Sequence, residues 1–172
     1  MVDSKQMSYH ALVDGDILVY KCGFAAQRTT HYVLNRDGLL MGKFASKRDA
    51  DELIETANDA YYLHSQVVSE PVEFAIQNVI TTFNSIFDEL QCDQFTTFIT
   101  GKGNYRNAIA TIKPYKGNRD PSHKPEHYDA IRTYLLEHMN GELIEGQEAD
   151  DAMGIGQMEI DGAGDETSII VS

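Results

Sequence analysis

Three carboxylates lie within four residues of this chain, at Glu148, Asp150 and Asp151, and we call them the acidic cluster. At neutral pH they repel one another unless a cation lies among them, and carboxylate oxygens are the ligands that hard divalent metal ions prefer. Acidic residues also suit the first turn of a helix, where they complement the helix dipole. The cluster alone therefore leaves a metal site and a helix start as open interpretations.

Asp14 is the residue best placed to join the acidic cluster. It follows the apolar residues 11–13, and Asp16 comes two positions later. The carboxyl ends of parallel strands meet at one edge of a sheet, where α/β proteins bind their ligands. Oxygen ligands gathered there favour Mg²⁺ or Mn²⁺, and two such ions would activate a water and stabilise the leaving oxygen in phosphodiester hydrolysis. Turn formation explains Asp14 almost as well, and it explains Asp16 better.

A second group of residues suits a nucleic acid. Residues 115–119 place an aromatic ring, an ammonium and a guanidinium within one short segment. Lys116 can polarise a scissile phosphate, Arg119 can bind two phosphate oxygens, and Tyr115 can stack on an unpaired base. An ordinary solvated basic loop is the alternative.

The distribution of charge along the chain supports an anionic substrate, although the net charge does not. The chain has 14 basic and 27 acidic residues, a net charge of −13, which argues against nucleic-acid binding. Residues 101–135, however, contain seven basic residues and only three acidic ones, whereas residues 133–172 contain ten carboxylates and no Lys or Arg. We therefore expect Lys102, Arg106 and Lys124 to contact the substrate. Solvated helix faces remain the alternative explanation.

These residues need a parallel sheet covered by helices to bring them together. Hydrophobic patterning predicts strands at residues 11–13, 95–100, 142–144 and 168–172, the last of them buried. It predicts helices at residues 17–26, 46–61 and 71–90, and helices that begin near Pro125 and Glu148. Residues 30–44 predict a β-hairpin outside the main sheet, because a turn-forming segment separates two apolar runs. Strands that alternate with helices indicate an α/β fold.

Length and composition favour one soluble domain. A chain of 172 residues with 42% hydrophobic residues is long enough for a substantial core. The first ten residues are polar and no apolar run reaches membrane-spanning length, so we expect an intracellular protein with no membrane partner. Cys22 and Cys92 have no metal-binding or paired spacing, which predicts buried free thiols.

Taken in order, three motifs resemble the 5′-nuclease family of bacteriophage 5′→3′ exonucleases, the 5′-nuclease domain of bacterial DNA polymerase I, and flap endonucleases. They are Leu-Val-Asp-Gly-Asp at residues 12–16, Tyr-Lys-Gly-Asn-Arg at residues 115–119 followed by Lys124 and Pro125, and Glu-Ala-Asp-Asp at residues 148–151. The likeness is nearest to the phage exonucleases and runs from about Tyr9 to Ser172, without the hairpin and the helix after it.

The resemblance implies a resolvase-like (PIN-like) domain over residues 1–172, with a parallel sheet, helices on both faces, an added hairpin at residues 30–44 and a basic arch-like loop at residues 101–127. It implies hydrolysis of DNA, or of RNA, at a 5′ end or a flap, with Mg²⁺ or Mn²⁺ as cofactor and two ions in a complete site. It assigns metal binding to Asp14, Glu148, Asp150 and Asp151, and catalysis to Asp14, Asp150 and Lys116. Tyr115, Lys116 and Arg119 match the segment near the arch that contacts the scissile phosphate and the single strand.

The chain departs from the family pattern at two places. Many members have an acidic residue just after the second strand, where this chain has Thr100 and Gly101, so that ligand is absent or is supplied by a neighbour such as Asp16. Family members also continue beyond the strand that resembles residues 169–172 into another Asp-containing motif and a region that binds duplex DNA. We therefore expect an incomplete second metal site, unless a second polypeptide supplies the rest.

Two other functions fit parts of the sequence. A catalytically inactive nucleic-acid-binding module would retain the basic segment without a complete metal site. An aspartyl-phosphate phosphatase would use Asp14 as its nucleophile, although it leaves Tyr115, Lys116 and Arg119 unexplained. For the nuclease, the resemblance implies a cytoplasmic location, in the host cell if the gene belongs to a phage.

Overall fold

The computed structural model describes residues 9–57, 60–92, 94–106, 124–164 and 166–172. The chain divides into two compact units: the first comprises Met1–Ala25 and Val72–Ser172, and the second comprises Ala26–Pro71.

Seven strands and five helices lie in the described part of the chain. The strands are β1 (Tyr9–Asp14), β2 (Gln27–Asn35), β3 (Leu40–Phe44), β4 (Tyr61–Ser69), β5 (Gln94–Thr100), β6 (Gly141–Ile144) and β7 (Thr167–Val171). The helices are α1 (Gly15–Ala25), α2 (Lys47–Glu55), α3 (Val72–Leu90), α4 (Tyr128–His138) and α5 (Ala149–Ala163).

The first unit contains a four-stranded sheet in the order β6-β5-β1-β7, and every neighbouring pair is parallel. Helices α1, α3 and α4 pack against one another over one face, and α5 packs against β1, β5 and β7. The predicted α/β fold with a parallel sheet is therefore confirmed. The two central strands, β1 and β5, both end at the edge that the sequence assigns to the site.

Successive side chains of β1 point to opposite faces of the sheet, so neighbouring residues pack into the cores on its two sides. Leu12 and Phe98 pack with Ala152 and Met153 of α5 on one face of the sheet. Val13 lies on the other face and is 1% exposed, so β1 is buried on both sides. A strand with two covered faces holds its last residue, Asp14, in a fixed position.

One prediction about the first unit needs correction. The strand predicted at residues 168–172 is present as β7, but it is an edge strand, and Ser168 is its one buried residue. It was expected to be buried because Ile169, Ile170 and Val171 are apolar, yet Ile170 is 39% exposed. Position in the sheet, which the local sequence does not specify, decides the burial of such a strand.

The second unit is a three-stranded antiparallel sheet in the order β3-β2-β4, with α2 packed against it. The predicted hairpin of β2 and β3 is confirmed, and Oδ1 of Asn35 accepts hydrogen bonds from the backbone N–H groups of Asp37 and Leu39 in its turn. The helix predicted to reach about Tyr61 ends at Glu55, and Tyr61 instead begins β4, a strand that the sequence analysis missed.

Cys22 and Cys92 form no disulfide, as predicted, and Cys22 is buried, whereas Cys92, also predicted to be buried, is half-buried. Burial raises the pKa of Cys22, which disfavours the reactive thiolate. None of the helices in the described ranges is both long enough and apolar enough to cross a membrane.

Candidate active site

Asp14 lies at the carboxyl end of β1 and is buried. Its Oδ1 atom accepts a hydrogen bond of 3.1 Å from the backbone N–H of Ile17 in the first turn of α1. The turn between strand and helix depends on Gly15, because a Cβ atom there would lie 2.8 Å from the carbonyl oxygen of Phe98. Asp14 thus has the turn-forming role that its sequence allowed, and its carboxylate also lies at the functional edge of the sheet.

Burial and neighbouring negative charges both raise the pKa of Asp14. Burial raises that pKa most strongly, and the hydrogen bond from Ile17 partly opposes the effect. The carboxylates of Asp16 and Asp150 raise the pKa further, because each disfavours another negative charge nearby. Asp14, Glu148 and Asp150 line one cleft at this edge, as the sequence predicted, whereas Asp151 does not line it. A cation there would stabilise the ionised form of Asp14.

The acidic cluster lies at the start of α5. Glu148 is the N-cap residue, and Asp150 and Asp151 lie in the first turn. The backbone N–H of Ala149 donates a 3.0 Å hydrogen bond to Oγ1 of Thr100, which fixes the start of α5 against the end of β5. The Glu148 carboxylate is buried yet makes no capping hydrogen bond. Helix capping therefore does not explain why this carboxylate is held at the sheet edge.

Arg106 supplies positive charge to the acidic cluster. Its Nη1 atom hydrogen-bonds Oε2 of Glu148, and its Nη2 atom lies 2.7 Å from Oδ1 of Asp151. The sequence predicts that Arg106 contacts the substrate and that a metal ion lies among these carboxylates. The ion pair could not be predicted, because residues about forty positions apart carry no local signal of contact.

Asp150 and Asp151 take different positions although they are adjacent. Consecutive residues of a helix point about 100° apart, so their side chains cannot share one environment. Asp150 is exposed and lines a cleft, whereas Asp151 is half-buried against Arg106. The Oδ2 atom of Asp151 is buried and has no hydrogen-bond partner among the described residues.

Asp16 connects α1, α4 and the end of β5. Its Oδ2 atom accepts a 3.2 Å hydrogen bond from the backbone N–H of Thr100, and its Oδ1 atom lies 3.1 Å from Nη1 of Arg132. The Nη2 atom of Arg132 donates a 2.8 Å hydrogen bond to the carbonyl oxygen of Thr100. Asp16 thus places a carboxylate beside the end of β5, where the sequence lacks the acidic residue common in the 5′-nuclease family. Arg132 was not predicted as a site residue.

These side chains surround a cleft of about 560 Å³ at the carboxyl ends of the strands. Four carboxylates line the cleft, from Asp14, Asp16, Glu148 and Asp150. Lys21 and Tyr20 of α1 also line it, and neither was predicted as a site residue. In the described ranges, no three His, Cys, Asp or Glu side chains are arranged as a metal-binding group.

The predicted substrate-binding residues fall into two groups. Lys102 is exposed, and its backbone N–H donates a 2.9 Å hydrogen bond to Oε2 of Glu145. Lys124 is exposed, and its Nζ atom lies 4.2 Å from the ring centre of Tyr128. Tyr115, Lys116 and Arg119 lie outside the described residues, as does most of the predicted arch-like loop.

Comparisons of the chain with known protein families, with curated proteins and with solved structures found no match. Its function is therefore inferred from the geometry of the cleft and from the motifs in the sequence.

Proposed function

We propose that this chain is a metal-dependent 5′-nuclease with a resolvase-like (PIN-like) fold, which hydrolyses phosphodiester bonds of DNA, and of RNA as a second substrate, at a 5′ end or a flap. The observation that carries the proposal is the close approach of Asp14 and Asp150 in an acidic cleft. The cleft lies at the carboxyl ends of parallel strands, which is where α/β proteins bind their ligands. The motifs around these two residues point to the same chemistry.

The carboxylates of the cleft fit a hard divalent cation. Mg²⁺ is commonly held by one or two carboxylates and keeps several of its water molecules. Asp14 and Asp150 would provide those carboxylates, with Glu148 lining the same cleft. Burial raises the pKa of Asp14 most, the carboxylates of Asp16 and Asp150 raise it further, and a bound cation would relieve that repulsion. When bound, such an ion would make a water nucleophilic and stabilise charge on the leaving oxygen.

Arg106 links the acidic cluster to the substrate-binding segment. Its side chain is 28% exposed, and its guanidinium is paired with Glu148 and Asp151. Carboxylate and phosphate bind guanidinium with the same two-pronged geometry, so a DNA phosphate competes for these donors. We infer that substrate binding draws Arg106 toward a phosphate and leaves the Glu148 carboxylate to the cleft.

Other cations near the cleft would bind the DNA backbone. Lys21 lines the cleft, and Lys102 and Lys124 are exposed. The resemblance to 5′-nucleases assigns contact with the scissile phosphate to Lys116, and contact with the single strand to Tyr115 and Arg119. A row of such contacts would hold the 5′ strand with its phosphate facing Asp14 and Asp150.

One observation favours a second candidate, a nucleic-acid-binding module without hydrolytic activity. The pairing of Arg106 with Glu148 and Asp151 already neutralises part of the acidic cluster. If that pairing persists when DNA is bound, a cation has fewer ligands available. Salt-sensitive DNA binding without cleavage in either Mg²⁺ or Mn²⁺ would identify this alternative.

Cleavage of a 5′-tailed duplex in Mg²⁺ tests the proposed function. We expect the wild-type chain to cleave, and the Asp150→Asn variant to lose at least about a hundredfold in rate while it still binds the duplex. Asp88→Asn is the matched control, because Asp88 is an exposed residue near the carboxyl end of α3 and does not line the cleft. Cleavage by Asp150→Asn at the wild-type rate would exclude the assignment.

A further inference from the structure

Among the described residues of the second unit, α2 packs against one face of the antiparallel sheet, and no helix of that unit covers the other face. Gly42 and its cross-strand partner Val33 lie on the face that α2 covers, since a Cβ atom on Gly42 would lie 3.0 Å from Leu53 of that helix. Side chains alternate along a strand, so Tyr32 points to the opposite face. We call this opposite side the open face.

Aromatic rings lie side by side on the open face. Tyr32 is paired across the sheet with Lys43 of β3 and His64 of β4. The ring centres of Tyr32 and His64 are 6.2 Å apart, and the Nζ atom of Lys43 lies 5.7 Å from the ring centre of Tyr32. Tyr62 lies in the next row and is 47% exposed. The open face therefore carries the exposed side chains of Tyr62, His64 and Lys43 beside the half-buried ring of Tyr32.

Charge is distributed unequally between the sheet and its helix. The three strands contain no Asp or Glu, although the chain has 27 acidic residues. Their cationic residues are Arg28 and Lys43, and Nε of Arg28 lies 3.7 Å from Oε1 of Glu70, just beyond β4. The acidic residues of α2 are Asp49, Asp51, Glu52 and Glu55. An anionic partner therefore meets less repulsion at the open face than on the helical side.

We propose that the open face binds single-stranded DNA, with unpaired bases stacked on Tyr32, Tyr62 and His64 and a phosphate near Lys43. Stacked rings beside a cation are the features that proteins use to hold unpaired nucleotides, and every base offers a face for stacking. The choice of DNA rests on the proposed nuclease function, whose substrate has a single-stranded 5′ end. Stacking and charge explain why exposed rings lie in a sheet that lacks carboxylates.

Fluorescence anisotropy of a labelled oligothymidine with the full chain tests the open face. EDTA is present throughout, so the assay measures DNA binding without cleavage. Failure of the open-face proposal is therefore distinguishable from failure of the proposed nuclease function. We expect Tyr62→Ala to weaken binding about tenfold and Tyr62→Phe to retain it, because phenylalanine still stacks. Lys43→Ala should weaken binding and reduce the slope of log affinity against log salt by about 0.7, the contribution of one phosphate contact on a single strand. Lys47→Ala on α2 is the matched control and should leave affinity and slope unchanged.

Unchanged affinity of both Tyr62→Ala and Lys43→Ala would overturn the proposal. Photocrosslinking of wild-type chain to an oligonucleotide containing 5-iodouracil provides a test without substitutions. Crosslinks to Tyr32, Tyr62 or His64 support the open face, and crosslinks confined to the first unit overturn it. A preference for RNA of the same sequence, or a dimer that Tyr62→Ala dissociates without an effect on DNA affinity, would also contradict it.

Discussion

The Nη2 atom of Arg106 lies 2.7 Å from Oδ1 of Asp151 at the first turn of α5, and the same guanidinium bonds the carboxylate of Glu148. The arginine thus compensates two negative charges of the acidic cluster. Asp14 and Asp150 line the cleft, where burial and then the carboxylates of Asp16 and Asp150 raise the pKa of Asp14. One carboxylate pair, Glu148 and Asp151, is therefore already bound to a cationic side chain, and a second pair, Asp14 and Asp150, would gain from a bound cation.

Replacement of Arg106 by Gln should destabilise the fold, and divalent cations should compensate. Removal of the guanidinium takes away its ion pairs with the Glu148 and Asp151 carboxylates, which should lower the free energy of unfolding by about 1–2 kcal/mol at neutral pH. Urea denaturation measures the loss, and addition of Mg²⁺ should recover more stability in this variant than in wild type. Arg48→Gln is the control, since its pair with Glu52 is exposed and should contribute about 0.5 kcal/mol or less. Equal losses in the two variants would refute the role given to Arg106.

Asp14→Asn should stabilise the chain at neutral pH. Because the folded protein raises the pKa of Asp14, the stability linked to this group is greatest below its unfolded pKa and falls as pH rises through its folded pKa. Removal of the charge should therefore raise the free energy of unfolding by about 1 kcal/mol at pH 7, and the gain should disappear at acid pH. The Asn side-chain oxygen can still accept the hydrogen bond from Ile17. Parallel denaturation of wild type and variant from pH 3 to 8 measures the difference, and a loss of stability at pH 7 would contradict the explanation.

Gly15→Ala should destabilise the turn that holds Asp14. A Cβ atom at this position would lie 2.7 Å from Cγ1 of Ile99 and 2.8 Å from the carbonyl oxygen of Phe98, so the end of β1 would have to move. We expect a loss of about 2–3 kcal/mol in unfolding free energy. Gly162→Ala on α5 is the opposite case, because its Cβ atom meets open space and alanine favours the helix, so a gain of about 0.5–1 kcal/mol is expected. Similar changes in unfolding free energy at the two glycines would show that the end of β1 does not require the close packing of Gly15 against Phe98 and Ile99 of β5.

Asp16 and Arg132 should be energetically coupled. Their atoms lie 3.1 Å apart, and each also hydrogen-bonds the backbone of Thr100. A double-mutant cycle with Asp16→Asn and Arg132→Gln should give a coupling of about 1 kcal/mol. The more exposed pair of Arg28 and Glu70 is the control and should give about 0.5 kcal/mol or less. Additive effects for Asp16 and Arg132 would show that they do not fix the end of β5.

The strands and helices of the first unit could be predicted because their hydrophobic periodicity is strong. The apolar residues of α3 recur at the spacing of one buried face, and of the seven in that stripe Val79 and Phe83 are fully buried whereas the other five are half-buried. By contrast, the polar and apolar residues of β4 do not alternate regularly, and most of its side chains are exposed, so its sequence does not identify it as a strand. Tertiary pairing with β2 across its full length determines that strand.

The site could be predicted only in part, for a similar reason. The approach of Asp14 to Asp150 follows from the rule that parallel strands share one functional edge, and it could be inferred from residue order. The pairing of Arg106 with the acidic cluster depends on where the segment after β5 turns, which the sequence does not encode locally. The separation of Asp150 from Asp151 follows from helix geometry and could have been foreseen once α5 was placed.

Calorimetric titration with Mn²⁺ tests most directly whether Asp14 and Asp150 form a cation site. The wild-type chain should bind Mn²⁺ in a saturable event that Asp14→Asn and Asp150→Asn each abolish or weaken at least about tenfold, while Asp88→Asn binds like wild type. Circular dichroism of the same samples establishes that the variants are folded. Absence of saturable binding to the wild-type chain, or equal affinity in all four proteins, would contradict the cation site on which the proposed nuclease activity depends.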